Sequence, residues 1–218
     1  MSFKSLTILA TAALSLVAGA AQAQGFANGG FETVGITTPA ASWLQAANGY
    51  TRTNADAHSG SFSAQLSSAA FGAAVMLQNS VEQGGLAPLT VGDPLVFSFW
   101  AKGTAGGTGN VLFALRYLDG VGNIMYNSSN QFFQGSINTS AWTQISFTPP
   151  PVPAGSVAAF VEFSQGIGPI DGGNPAGLVR IDDLSLAVAP IPEPGTYALM
   201  LAGLAAMGAV ARRRRAAV

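Results

Sequence analysis

Between Phe31 and Val188 the chain alternates short apolar runs with clusters of Gly, Asn, Pro and Ser, and no run keeps the period of an amphipathic helix. This pattern indicates an all-β domain. The clearest strand is Leu95 to Ala101, which is rich in aromatic and β-branched residues and follows an Asp-Pro turn. The other predicted strands are Ser61 to Leu66, Ala74 to Gln78, Val111 to Leu118, Ile124 to Asn127, Thr143 to Thr148, Val157 to Phe163 and Leu178 to Val188.

Eight short strands at near-regular spacing predict two packed antiparallel sheets, a β-sandwich of the jelly-roll kind. Every second residue from Val111 to Tyr117 is apolar and shares one face of its strand, with Arg116 on the other face. Trp100 belongs to the most apolar strand and is predicted to lie in the core. The glycine-rich segments Gly103 to Gly109 and Gln165 to Gly177 are predicted to be loops.

Residues 1–23 have the features of a secretory signal peptide. Lys4 supplies the positive start, an uncharged apolar stretch extends from Leu6 to Gly19, and small residues mark a cleavage site at Ala21 and Ala23. Cleavage there leaves a mature chain that begins near Gln24. The β-sandwich domain is accordingly assigned to residues 24–189.

Residues 190–218 have three parts in a fixed order. Pro192, Glu193 and Pro194 form an exposed, extended peptide, because two prolines at this spacing exclude regular helix. The run from Tyr197 to Ala211 carries no charge and is rich in Leu, Met and Ala, as a transmembrane helix requires. The basic residues that follow act as a stop-transfer signal and place the C-terminus in the cytoplasm. They are Arg212, Arg213, Arg214 and Arg215.

The Pro-Glu-Pro motif, the single helix and the Arg cluster resemble, in this order, the PEP-CTERM sorting tail of Gram-negative bacteria. The same tail is also known as the ice-binding protein C-terminal domain. The resemblance implies a transient inner-membrane anchor, cleavage at or near the motif by an exosortase, and delivery to the cell surface or the exopolysaccharide matrix. A simple one-helix anchor without processing is the alternative, and neither interpretation assigns a biochemical activity.

Charge and composition limit the function classes of the β-domain. Residues 24–189 contain four basic and nine acidic side chains, hence a net charge of −5, against −1 for the whole chain. Such a surface repels phosphate backbones, so nucleic-acid binding is not expected. The chain has no cysteine, which excludes disulfides, thiolate metal sites and cysteine nucleophiles.

Six short motifs follow one another along the β-domain. They are Asn28 to Glu32, Trp43, His58 to Ala64, Phe97 to Lys102, Trp142 and Ile181 to Leu186. Their order resembles that of carbohydrate-binding modules with a galactose-binding-like jelly-roll fold. The resemblance implies that a structural calcium ion is held where the first and last strands meet, since calcium prefers several hard oxygen ligands. The implied metal residues are Glu32, Ser59, Asp182 and Asp183, and the alternative is that the two aspartates cap a strand edge.

The same resemblance implies that sugar rings stack on aromatic side chains. The ligand-binding candidates are Trp43, Tyr50, Tyr126 and Trp142, and Tyr117 belongs to the same group. The interior of the sandwich is the favoured alternative for each ring. Two interpretations therefore stay open. A module that binds extracellular polysaccharide would expose two or more rings on one concave face, whereas a structural matrix component would bury them.

Catalysis is not expected. The single histidine, His58, lies in a Ser-Gly turn, and Gly60-Ser61 lacks the Gly-x-Ser-x-Gly pattern of a nucleophile elbow. One histidine and no cysteine exclude a histidine-based zinc site, and nothing in the sequence recommends a carboxylate pair such as Glu82 and Glu162 for glycosidase chemistry. The sequence predicts an exported, exosortase-sorted surface or matrix protein with a structural or interaction role, or alternatively a calcium-stabilised carbohydrate-binding module.

Overall fold

The computed structural model describes residues 25–68, 73–106, 109–166, 177–189, 200–205, 207 and 212. Within these residues the chain forms eleven β-strands and one 3₁₀ turn, at Gln134–Ser136. The strands are β1 (Leu44–Ala47), β2 (Thr51–Thr53), β3 (Ser63–Ser68), β4 (Ala73–Asn79), β5 (Leu95–Thr104), β6 (Asn110–Leu118), β7 (Ile124–Asn127), β8 (Gln131–Phe132), β9 (Thr143–Phe147), β10 (Ala158–Gly166) and β11 (Gly177–Val188).

The strands form two antiparallel sheets. The first sheet has the order β1-β4-β10-β6-β7, with β8 also paired to β6, and the second has the order β2-β3-β11-β5-β9. The pairs are nested along the chain, since β3 pairs with β11, β4 with β10, β5 with β9 and β6 with β7. Strands β3 to β6 and β9 to β11 alternate between the sheets as they do in a jelly roll. The predicted all-β antiparallel sandwich is confirmed.

All eight predicted strands are confirmed, with ends that shift by no more than three residues. Three short strands were not predicted, namely β1, β2 and β8. The predicted loops begin too early, because β5 continues to Thr104 and β10 continues to Gly166. Both extensions pair with β11 or β6, so backbone hydrogen bonding outweighs the weak strand preference of glycine there.

Aromatic rings fill the space between the sheets. Phe99 and Phe163 meet edge to face with centroids 4.9 Å apart, and Phe97 lies 5.2 Å from Phe113. Each of these rings is at most 2% exposed. Because such pairs combine area burial with a favourable ring geometry, this cluster is a main source of stability in a domain that has no disulfide.

The side-chain alternation of β6 is only partly two-sided. Every second residue from Val111 to Tyr117 is buried between the sheets, as predicted. Leu112 and Ala114 point to the opposite face and are also at most 9% exposed. The outer side of this strand is therefore lined by neighbouring side chains and is not an open polar surface.

The prediction that Trp100 lies in the core is wrong. In β5 the residues from Leu95 to Ala101 alternate between buried and half-buried, and Trp100 is half-buried on the outer face of the second sheet. The imidazole of His58 stacks on the indole at 3.8 Å, with an angle of 12° between the ring planes. A loop side chain, and not the opposing sheet, covers this tryptophan.

Most of the two end segments lie outside the described residues. These include the signal-cleavage residues Ala21 and Ala23, the sorting residues Pro192, Glu193 and Pro194, and Arg213 to Arg215. Residues 200–205, 207 and 212 are helical and exposed. Among the described residues, no helix is both long enough and apolar enough to span a bilayer.

Candidate functional site

The four residues implied as calcium ligands lie together where the turn before β3 meets the middle of β11. Glu32 Oε1 accepts hydrogen bonds from the backbone N–H groups of Ser61 and Phe62, at 2.8 and 2.9 Å. Ser59 Oγ donates to Asp183 Oδ1 at 2.7 Å. The turn between β2 and β3 is thereby tied to the N-terminal segment and to the last strand.

Asp182 is the buried member of this carboxylate cluster, which consists of Glu32, Asp182 and Asp183. Its side chain is fully buried, and its oxygens accept the backbone N–H groups of His58, Ser59 and Asp183 at 2.8, 3.2 and 2.8 Å. Burial raises the pKa of this carboxyl to about 6, although the three hydrogen bonds act in the opposite direction. A positive charge beside Asp182 would offset the energetic cost of burying its ionised carboxylate.

Asp183 lies at a β-bulge that interrupts the pairing of β11 with β5. Its backbone has a φ of 48°, an uncommon conformation outside glycine that aspartate tolerates. The bulge directs the carboxylate towards the turn, where Oδ2 lies 2.6 Å from His58 Nδ1. Asp183 therefore joins β11 to the imidazole of His58 in the turn before β3.

The carboxylate cluster suits a hard cation in its chemistry, but its convergence is incomplete. A Cβ atom built on Gly30 would lie 3.5 Å from Asp183 Oδ1 and 3.8 Å from Asp182 Oδ1, so glycine leaves a small gap beside both oxygens. Carboxylate oxygens are preferred calcium ligands. Among the described residues, however, no three His, Asp or Glu side chains form a group that could hold a metal ion. Backbone carbonyls would have to complete any coordination shell.

Trp43 and Tyr50 are core residues, which corrects their assignment as ligand-binding residues. Trp43 is fully buried, and its Nε1 donates to the carbonyls of Ala27 and Asn28 at 3.1 Å. Tyr50 is 4% exposed, its hydroxyl accepts the N–H of Ala40, and burial raises its pKa to about 12. Neither ring has a face left for a sugar.

The other two tyrosines that the structure describes, Tyr117 and Tyr126, also belong to the interior or its margin. Tyr117 is fully buried, and the ring of Tyr126 lies 5.4 Å from it, half-buried at the margin of the core. Burial raises the pKa of both phenols. Trp142 is half-buried outside the core, 5.9 Å from the ring of His58, and is the predicted ligand residue with the most favourable position.

Two phenylalanines that the sequence analysis did not select lie on the outer face of the first sheet. Phe132 is 57% exposed and Phe160 is half-buried. Beside Phe160, Arg116 Nη1 lies 3.1 Å from Glu162 Oε2, and the guanidinium lies 5.4 Å from the Phe160 centroid. Phe132 is opposite Leu112, four residues away from Arg116 along β6. We call Arg116, Phe132, Phe160 and Glu162 the first-sheet face. The alternation of Phe160 and Glu162 with buried Val161 was the signal that would have placed them outside.

A second polar group lies on the outer face of the other sheet. Lys102 Nζ is 2.8 Å from Asp56 Oδ2, and Arg180 Nη1 is 3.8 Å from the same oxygen. Trp142 Nε1 donates to Asp56 Oδ1 at 3.1 Å. The hydrogen bond from Lys102 is the main cause of a lowered pKa at Asp56. We call Asp56, Lys102, Trp142 and Arg180 the second-sheet cluster.

The comparison with protein families identifies the end of the chain. Residues 190–215 match the PEP-CTERM protein-sorting motif. The match covers the Pro-Glu-Pro peptide, the apolar run and the Arg cluster, and it confirms the predicted sorting tail. Such a motif implies export and exosortase-mediated sorting to the cell surface. A search of curated proteins finds no match to this chain.

Solved structures with a similar fold come from several kinds of protein. The enzymatically active domain of tailspike protein 4 from bacteriophage CBA120 has a TM-score of 0.56 and 20% identity over 76% of this chain. The match spans 21% of the tailspike chain. TmCBM61, solved with β-1,4-galactotriose, has a TM-score of 0.44 and 19% identity, with 74% of this chain and 96% of that chain covered.

The CBM22-2 xylan-binding domain of Paenibacillus barcinonensis Xyn10C is also similar. It has a TM-score of 0.47 and 15% identity, and the match covers 74% of this chain and 98% of that chain. At 20% identity, the likeness to the tailspike domain concerns the fold alone.

Proposed function

We propose that the protein is an exported, exosortase-sorted component of the cell surface or the exopolysaccharide matrix, in which the β-sandwich has a non-catalytic structural or interaction role. The observation that carries this proposal is the match of residues 190–215 to the PEP-CTERM motif. The signal-peptide features of residues 1–23 agree with it, because a sorting tail acts only on an exported chain.

Each part of the tail has a separate physical task in this proposal. Pro192 and Pro194 keep the motif extended and outside the membrane, where a protease can bind its backbone. The uncharged run from Tyr197 to Ala211 inserts into the bilayer as a helix. The four arginines after it stay in the cytoplasm and stop translocation.

The test replaces Pro192, Glu193 and Pro194 with alanine. We expect the variant to accumulate at full length in the inner membrane, because the exosortase no longer recognises it. The matched control replaces Pro150 and Pro151, two exposed prolines between β9 and β10, and should be processed normally. Immunoblots of membrane and surface fractions measure both. Surface delivery of the triple variant at the normal mature size would contradict the proposal, as would normal processing in a strain without an exosortase.

The second candidate function is polysaccharide binding at the first-sheet face. The observation that favours it is the placement of Phe132 and Phe160 on the outer face of one sheet, with the polar pair of Arg116 and Glu162 beside Phe160. Sugar-binding surfaces commonly combine stacking rings with a few polar groups. This placement replaces the buried Trp43 and Tyr50 as the basis of the hypothesis.

A double variant, Phe132→Ala with Phe160→Ala, tests this second function. The full-length chain in detergent is applied to arrays of neutral polysaccharides, and the double variant should lose about tenfold or more in retention. The control is Ile36→Ala, which removes a more fully exposed apolar side chain from the loop before β1. Absence of retention of the unmodified chain on every polysaccharide would exclude this candidate.

We also propose that calcium binds at Glu32, Ser59, Asp182 and Asp183. Three carboxylates, one of them fully buried, lie together there beside the gap at Gly30. Calcium bound by these four residues would join the N-terminal segment, the turn before β3 and the last strand. The expected result is a higher unfolding temperature in calcium than in a chelator, with little effect of magnesium.

A further inference from the structure

Half of the basic residues of this acidic domain lie side by side on one face. Residues 24–189 contain four basic and nine acidic side chains. Two of the four, Lys102 and Arg180, are directly opposite each other in the register of β5 and β11. Both are half-buried on the outer face of the second sheet. Like charges in this position repel each other, so the pair requires a compensating negative charge.

A single carboxylate serves both cations. Asp56 Oδ2 lies 2.8 Å from Lys102 Nζ and 3.8 Å from Arg180 Nη1. The other oxygen, Oδ1, accepts the indole N–H of Trp142 at 3.1 Å. Lys102 and Trp142 therefore have the short contacts with Asp56, and Arg180 has only a long one.

The other two arginines of the domain have closer partners. Arg116 pairs with Glu162 at 3.1 Å, and Arg52 donates to two backbone carbonyls at 2.6 and 2.7 Å. Arg180 differs, because its buried Nε finds no hydrogen-bond partner among the described residues. The nearest acid along β11, Asp182, already accepts three backbone N–H groups. The second-sheet cluster thus has one positive charge in excess and one guanidinium N–H without an acceptor.

We infer that Lys102 and Arg180 bind the carboxylate of an acidic sugar, as present in a polysaccharide that contains uronic acid. A planar carboxylate matches the N–H donors of a guanidinium, and lysine adds a point charge. The half-buried indole of Trp142 contacts the same Asp56 and offers an apolar surface for the sugar ring. Lys102 and Arg180 alone would bind any small anion. The adjacent indole of Trp142 makes the site selective for a charged sugar.

This inference goes beyond the proposed function, since it concerns the opposite sheet from Phe132 and Phe160 and requires neither calcium nor the sorting tail. The two sites fail independently. Loss of neutral-sugar binding in the phenylalanine double variant would leave the second-sheet cluster intact, and the reverse also holds.

The test measures binding of polygalacturonate by isothermal titration calorimetry, with the full-length chain in a nonionic polyoxyethylene detergent that carries no sugar. We expect salt-dependent binding, which Arg180→Gln and Lys102→Gln each weaken about tenfold or more. The matched control is Arg52→Gln, which makes the same change in net charge outside the second-sheet cluster. Its affinity should stay within about twofold of the unmodified chain, because the Arg52 guanidinium donates to the carbonyls of Phe31 and Glu32 and not to Asp56.

Each of four results would overturn the inference. Three of them are no binding of polygalacturonate, an equal loss in Arg52→Gln, and neutral galactan bound as tightly as polygalacturonate. Competition by inorganic phosphate as effective as that by galacturonate would also overturn it, because the site would then select charge without the sugar. Circular dichroism melts establish that each variant is folded. If Arg180→Gln unfolds, Arg180→Lys replaces it, and this variant should bind with intermediate affinity because it keeps the charge and loses the planar donors.

Discussion

Gly60 occupies a position in the turn before β3 where a side chain does not fit. Its φ is +60°, and a Cβ atom there would lie 2.3 Å from Glu32 Oε1. We expect Gly60→Ala to lower the free energy of unfolding by roughly 2–4 kcal/mol, from backbone strain and from lost hydrogen bonds between Glu32 and the amides of Ser61 and Phe62. Urea denaturation measures this decrease in the free energy of unfolding.

The control for this variant is Gly85→Ala. Gly85 has a similar φ of +63°, but nothing lies within 4 Å of its added Cβ atom. Gly85→Ala should therefore lower the free energy of unfolding by about 1–2 kcal/mol, because only the strain of the left-handed backbone contributes. Equal losses in the two variants would mean that the contact between Gly60 and Glu32 has no energetic consequence.

Asp182 makes the stability of the domain depend on pH. Burial raises its pKa from 3.8 to about 6, so the folded state binds this proton more tightly than the unfolded state does. The stabilisation by the protonated form is complete below about pH 4 and is lost as the pH rises through 6, with a magnitude of up to about 3 kcal/mol. Asp182→Asn should remove this decrease, as measured by urea denaturation across the range.

Calcium should change the sign of that pH dependence. A bound cation favours the ionised carboxylates, so saturating calcium should make stability increase with pH over the same interval. Magnesium at the same concentration is the control, since it dehydrates less readily and demands stricter geometry. An unchanged decrease in calcium would show that Asp182 is not a ligand.

At the level of single residues, the sequence placed the carboxylates better than the rings. Glu32, Asp182 and Asp183 lie in motifs from the two ends of the domain, and the structure brings their side chains together around Gly30. The burial of Trp43 depends instead on contacts with Phe26 and Phe31 from a segment without regular strand structure. No local pattern encodes such contacts, so sequence could not decide whether that ring faces the interior or the solvent.

At the scale of the strands, a phenylalanine on the inner face of a sheet contributes far more to stability than one on an outer face. Phe99 in β5 is fully buried against Phe113 and Phe163, whereas Phe132 in β8 is 57% exposed. Phe99→Ala should cost about 3–5 kcal/mol, because it leaves a cavity in the core. Phe132→Ala should cost less than about 1 kcal/mol. Thermal and urea unfolding compare the two, and similar losses would contradict the assigned orientation of β8.

The sequence predicts a strand correctly where apolar residues alternate over a long run, as in β5 and β6. Leu44–Ala47 could not be found in this way, because its four residues are all exposed and include two alanines. It is a strand because β4 offers it an unpaired edge, which is a tertiary cause. Alternation likewise fixes which face of β5 carries Trp100, but the covering loop with His58 is beyond any strand pattern.

For the molecule as a whole, the boundary at Ala189 separates folding from sorting. β11 ends at Val188, and the N–H of Ala189 donates to Pro94 O at 2.7 Å. Truncation after Ala189 should leave the free energy of unfolding within about 0.5 kcal/mol of that of the exosortase-processed protein. Truncation after Leu184 should prevent folding, because it removes the pairing of Ser185 to Val188 with β5.

Limited proteolysis and circular dichroism of the two truncated chains measure this difference. A folded product from the shorter chain would show that the pairing of Ser185 to Val188 with β5 is dispensable. An unfolded product from the longer chain would show that the sorting tail contributes to the fold, against the domain boundary proposed at residues 189 and 190.

The central position of β11 also sets the order of events during export. A chain that crosses a membrane from its N-terminus delivers β11 after every other strand, and until then β3 and β5 lack the neighbour that lies between them. The second sheet therefore cannot complete its hydrogen bonding before β11 has arrived. Because the residues that match the sorting motif follow β11 directly, the second sheet completes its strand pairing only when the chain has been exported as far as that motif.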